Sequence, residues 1–141
     1  MSRDAAPGPA PTPEGAPEAP DVPEAVRRGV TLYNTGRFWE AHEALEAVWR
    51  RAPAAERPLW QGLIQAAAAM LHRERGNRHG LLAVGGAAIG RLAAGAPPGF
   101  PVETARFVQA LRRCVNEGGP VPPMAYAPGA AADTQRRTNE R

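Results

Sequence analysis

Apolar residues recur along this chain at helical spacing, and nowhere with the strict alternation of a strand. Asp21-Val22-Pro23-Glu24 reads as a helix start: Asp21 can cap, Pro23 is tolerated in the first turn, and Glu24 follows three residues after the cap. The first predicted helix carries Val26, Val30 and Tyr33 on one face and ends at Asn34-Thr35-Gly36, where glycine can take the left-handed conformation. A second helix is predicted from Arg37 to Ala52, stopped before Pro53. Phe38, His42, Leu45 and Trp49 fall at i, i+4, i+7 and i+11 along it, which makes His42 core-facing. The pair reads as a helical hairpin.

A third helix, from Glu56 or Pro58 to Arg75, is apolar around most of its circumference and is expected at the centre of the fold. Gln61, Gln65 and His72 form its polar stripe. Asn77 can cap a fourth helix running to Ala94, although Gly80, Gly85, Gly86 and Gly90 each cost about 1 kcal/mol relative to alanine. Gly86 and Gly90 share a face and are expected to admit a closely packed neighbour. After a Gly/Pro loop over 95–101, a last helix is predicted from Val102 to Asn116 with Ala105, Val108, Leu111 and Val115 inward. The fold class is therefore all-α, a compact bundle of four to five helices built on hairpins.

Composition sets the limits of the folded part. Residues 1–20 are rich in Pro and Ala, and residues 128–141 have no large apolar side chain, so both are expected to be disordered tails. One domain is expected over 21–127. All 17 basic residues are arginine, a usage that fits a GC-rich genome. The arginines are scattered without interleaved aromatics, which is the pattern of a solvated face and argues against nucleic acid as a partner. Cys114 is the single cysteine, so no internal disulfide can form, and its helical context marks it as a packed side chain. Without an apolar leader or a membrane-length apolar run, the expected location is the cytoplasm.

Candidate chemistry concentrates in Gly36–Trp49. His42-Glu43-Ala44-Leu45-Glu46 is one residue from the zinc-protease pattern His-Glu-x-x-His, with Glu46 where the second imidazole would stand. His42 and Glu46 lie one turn apart, and His72 from the next helix could complete a mixed nitrogen and oxygen site for a divalent metal such as zinc. The competing reading needs no cofactor: His42, Glu43, Glu46, Gln61, Gln65 and His72 form a buried polar cluster whose hydrogen bonds hold two helices in register. Di-iron spacing is absent, since Glu40-x-His42 is not Glu-x-x-His. No nucleophile–base pair, phosphate loop or catalytic serine motif is present, so a hydrolase would rest on the His/Glu cluster alone. The arginine- and histidine-rich run His72–His79 suits a helix C-terminus, and Trp39 and Trp60 have the spacing of core residues.

Two blocks carry a resemblance: Tyr33-Asn34-x-Gly36-x-Phe38-x-Glu40-Ala41-His42-Glu43-x-Leu45-Glu46-x-x-Trp49, then Leu59-x-Gln61-Gly62-Leu63-Ile64-Gln65 with His72 and Gly76-Asn77. Over roughly Ala25 to Val115 the chain resembles the small helical family called domain of unknown function 309. The resemblance implies an all-α fold in which the Glu-Ala-His-Glu and Gln-Gly-Leu-Ile-Gln helices pack together, and it implies no activity. The glycine-laden fourth helix departs from the family pattern. Gly29, Leu32, Ala41, Leu45, Val48 and Pro53 also resemble one tetratricopeptide hairpin, although the nearest analogue follows 40 residues later, not 34. The expected function is a non-catalytic helical interaction or scaffold domain, with a protein partner or a second copy of itself. The alternative is a metal- or small-ligand-binding domain, extending to a metal-dependent hydrolase.

Overall fold

The computed structural model describes residues 21–127, and the predicted tails, 1–20 and 128–141, lie outside the described residues. Five helices follow in order: α1 (Val22–Asn34), α2 (Phe38–Arg51), α3 (Arg57–Glu74), α4 (Arg78–Leu92) and α5 (Ala105–Glu117). A single 3-10 turn, Ala54–Glu56, leads into α3. Asp21 caps α1 by accepting from the Glu24 N–H, and Asn77 caps α4 by accepting from Gly80. Each helix packs chiefly on the next in sequence. None of them is long and apolar enough to cross a membrane.

The two hairpin turns are copies of one another at an offset of 40 residues. In the first, the N–H groups of Thr35, Gly36 and Arg37 donate to the carbonyls of Thr31, Tyr33 and Leu32; in the second, those of Arg75, Gly76 and Asn77 donate to Leu71, Arg73 and His72. Gly36 and Gly76 both sit at positive φ, 82° and 70°, which a residue with a Cβ resists. The analogue that the sequence places 40 residues on, not 34, thus has the same turn.

α3 is enclosed as expected, with Leu59, Trp60, Leu63, Ile64, Ala66, Ala67, Ala69 and Met70 all buried. α2 departs from expectation by a rotation. Its buried face is Phe38, Ala41, Leu45 and Val48, so His42 and Trp49 stand half-buried at the edge. Ala41, fully buried, is the small residue that lets α2 approach its neighbours, and a histidine there would hold them apart. The α1–α2 contact is equally close, since a Cβ on Gly29 would come within 2.8 Å of Leu45.

Three expectations about the second half are corrected. Gly86 and Gly90 face open space, and the tight positions are Gly85, whose Cβ would meet Val115 at 2.6 Å, and Gly80, whose Cβ would meet the His72 imidazole. Ala105 is exposed, and α5 buries Phe107, Val108, Leu111, Cys114 and Val115. Val102 lies before α5, in an isolated antiparallel bridge with Tyr126. Glu103 then caps α5 by accepting from the N–H groups of Ala105 and Arg106. The glycine penalty in α4 is offset because Leu81, Ile89 and Leu92 are buried, each worth about 1.5–3 kcal/mol.

Residues 119–127 form a strap that no periodicity announced. Met124 and Pro122 are buried, Glu103 N–H donates to the Ala125 carbonyl, and Ala127 N–H donates to Pro101.

The contrast between adjacent glycines is testable by thermal or denaturant melting. Gly85→Ala should destabilise by about 1–3 kcal/mol through overpacking against Val115. Gly86→Ala, one residue on and open to solvent, should stabilise by about 0.5–1 kcal/mol.

Candidate interaction surface

The six polar residues singled out in the sequence do not form one buried cluster. Five are half-buried and Glu43 is exposed; among the described residues only Thr104 is a buried polar side chain outside the aromatics. Glu46 accepts from Arg50 on its own helix at 2.9 Å. Gln65 accepts from Arg91 Nε of α4 at 3.0 Å. The His72 ring lies against Gly80, with Nδ1 3.0 Å from the Asn77 side-chain nitrogen, so it steadies the second turn. Gln61 lines a groove with Trp49, Arg57 and Arg91. Among the described residues no three His, Cys, Asp or Glu side chains gather as a set that could hold a metal, so His42, Glu46 and His72 are not brought together as ligands. The rotation of α2 is the physical reason: its polar residues point along the hairpin edge, each within reach of a different neighbour.

His42 instead lies flat under Trp39, ring centroids 5.6 Å apart and planes within 4°. Its Nδ1 is buried without a hydrogen-bond partner. Trp39 is 57% exposed, in contrast to Trp60, which is buried, donates to Glu56 and packs on Phe100. A core position for Trp39 is therefore corrected: it falls outside the buried α2 face. Trp39, Arg28 of α1, Glu40, Glu43 and Ala44 line a shallow depression of about 250 Å³. Glu40 is paired with Arg37, whereas Glu43 and Arg28 have no ion-pair partner among the described residues.

The first motif block has a second, internal task. The Tyr33 hydroxyl donates to the Pro122 carbonyl at 2.7 Å. Asn34 Nδ2 donates to the Met124 carbonyl and Asn34 Oδ1 accepts from the Met124 N–H, both at 2.8 Å. Arg27 stacks over Tyr126, 5.2 Å from the ring centroid, at the far end of the strap. Tyr33 is also the hub of the aromatic core, edge-on to Phe38 at 5.3 Å and to Phe107 at 5.9 Å. Burial pushes its phenol far above the usual range, with nearby Cys114 adding to the effect and Arg73 opposing it. Burial likewise pushes the Cys114 thiol up against the pull of Arg73, which keeps it protonated and a poor nucleophile. Its Sγ rests 4.0 Å from Met70 Sδ, as befits a packed side chain.

A family model describing a domain of unknown function, DUF309, matches residues 26–84. Over those residues the chain is similar to DUF309. No curated protein matches the chain. The matched segment runs from α1 into α4 and stops at Val84, short of the Val115 boundary expected from the motifs. The strap thus lies outside the DUF309 segment, while Tyr33 and Asn34, which hold it, lie inside. Most DUF309 motif residues are accounted for by turns and packing: Gly36 and Gly76 by backbone conformation, Asn77 by capping, His72 by its seat on Gly80, and Leu45 and Leu63 by the core. His42 is one exception, because its buried Nδ1 has no hydrogen-bond partner among the described residues.

An unsatisfied nitrogen has a measurable consequence. His42→Phe keeps the stack on Trp39 and removes the orphaned nitrogen, so stability should hold or rise by up to about 1 kcal/mol. His42→Ala, which removes the stack as well, should lower it by about 1 kcal/mol. Denaturant melts of both variants check the order.

Proposed function

We propose that this chain is a non-catalytic helical interaction domain whose docking face is the outer side of α2 around Trp39. The reading is carried by one observation: Trp39, more than half exposed, is fixed in place by the His42 ring beneath it. A free tryptophan on a surface pays side-chain entropy on binding, and a stacked one has already lost that freedom. Tryptophan and arginine are the side chains most enriched at interface hot spots, and here Arg28 stands beside Trp39 with Glu43 unpaired at the rim. The fitting partner is a protein surface with an apolar pocket for the indole, rimmed by polar groups that take Arg28 and Glu43. The repeated hairpin turns support the same reading, because stacked hairpins present outer helix faces as extended binding surfaces.

A hydrolytic or metal-dependent function has no comparable support. Its candidate residues are spread over separate contacts, and the one cysteine is buried and protonated.

The test uses a photo-crosslinking side chain at position 43 to identify the partner in cells, followed by titration of the purified partner. Trp39→Ala should leave the fold intact and weaken binding by about 30-fold or more, the loss of a hot spot worth about 2 kcal/mol. Equal affinity for wild type and variant, or no specific crosslink from position 43, contradicts the proposal.

A further inference from the structure

We propose that the open groove bordered by the end of α2, the 3-10 turn, the start of α3 and the end of α4 binds a small phosphate ester through Arg57 and Arg91. The groove has a volume of about 410 Å³ and is lined by Trp49, Ala54, Arg57, Pro58, Gln61 and Arg91, with no carboxylate among them. It is separate from the Trp39 face. The inference stands whether or not that face binds a protein.

Two features of these arginines suit an anion. Arg27, Arg37 and Arg50 are each paired with a glutamate three or four residues away, whereas Arg57 and Arg91 have no ion-pair partner among the described residues. Both are also oriented by neighbours. The Arg57 guanidinium lies over the Trp49 ring, 4.2 Å from its centroid. Arg91 donates its Nε to Gln65, which leaves the two terminal nitrogens of its fork free. Guanidiniums held in this way present paired N–H donors that match the oxygens of a phosphate dianion.

The remaining walls favour an anion carrying an organic group. The first turn of α3 has no acidic side chain, so its dipole favours negative charge at that end. Glu56, the carboxylate beside it, is turned toward Trp60 Nε1 at 3.2 Å. Gln61 adds an amide without a hydrogen-bond partner among the described residues, and Trp49, Ala54 and Pro58 supply an apolar wall. A bare phosphate would leave most of this volume unfilled; an ester would occupy it. Trp49, Gln61 and Gln65 all belong to the motif blocks, and neither the core nor the turns use the two glutamines.

The experiment is titration of the full chain with inorganic phosphate, glycerol 3-phosphate and AMP, read by calorimetry and tryptophan fluorescence. A single-stranded oligonucleotide serves as a fourth probe. Saturable binding is expected, with at least one ester tighter than phosphate. Arg57→Gln and Arg91→Gln, both at exposed positions, should each weaken it about tenfold, and Gln65→Ala about threefold by releasing Arg91. Arg78→Gln, at the far end of α4, should change nothing, and circular dichroism should be the same for every variant. The proposal is overturned if no probe saturates at physiological ionic strength, if both glutamine variants bind like wild type, or if phosphate binds and neither ester does. Oligonucleotide binding without ester binding overturns it in favour of a polymer.

Discussion

The side-chain amide of Asn34 treats the C-terminal strap as a neighbouring strand would, giving one hydrogen bond to the Met124 carbonyl and taking one from its N–H. A stack of hairpins in which each helix packs mainly on the next is open at its sides, and the strap closes this one. With Met124 held, Pro122 covers the Tyr33 hydroxyl, and Tyr33 in turn joins α1 to α2 through Phe38 and to α5 through Phe107. A buried phenol left without an acceptor would cost about 1–3 kcal/mol, so strap and aromatic hub stabilise each other. This link crosses the boundary of the DUF309 segment, whose Tyr33-Asn34 pair binds residues well beyond Val84.

What the sequence discloses follows the reach of the forces involved. Helix starts and stops were legible because caps and left-handed glycines are local: Asp21, Asn77, Gly36 and Gly76 all act where the pattern places them. The centrality of α3 was legible because almost every turn of it is apolar. The face of α2 was not, because periodicity alone cannot separate Phe38/His42/Leu45/Trp49 from Phe38/Ala41/Leu45/Val48; the choice depends on how close the neighbouring helices come, and alanine wins over histidine there. For the same reason the glycines of α4 could be counted but not assigned, since only the partner surface tells Gly85 from Gly86. The strap has no period at all, and its one signal was an asparagine at a helix end with one hydrogen bond to give and one to take.

The polar cluster was the plainest overreach of spacing. Residues one turn apart share a side of a helix, yet Glu46, Gln65 and His72 each satisfy themselves with the nearest donor or cation, which is less costly than desolvating several polar groups together. Two surface features remain with no evident task in the fold. Trp39 and Trp49 lie ten residues apart on α2, about 15 Å along its axis and on different sides of it. Occupation of one of these features would therefore leave the other accessible.

The measurement that bears most directly on this architecture is amide hydrogen exchange at Met124, whose N–H has no acceptor among the described residues other than Asn34 Oδ1. In the wild-type chain this amide should exchange far more slowly than an unprotected one, and in Asn34→Ala it should lose that protection together with Ala127, while Leu63–Met70 in α3 stay protected. Rapid exchange of Met124 in the wild-type chain, or protection that survives the loss of Asn34, would contradict a strap held by the side-chain amide.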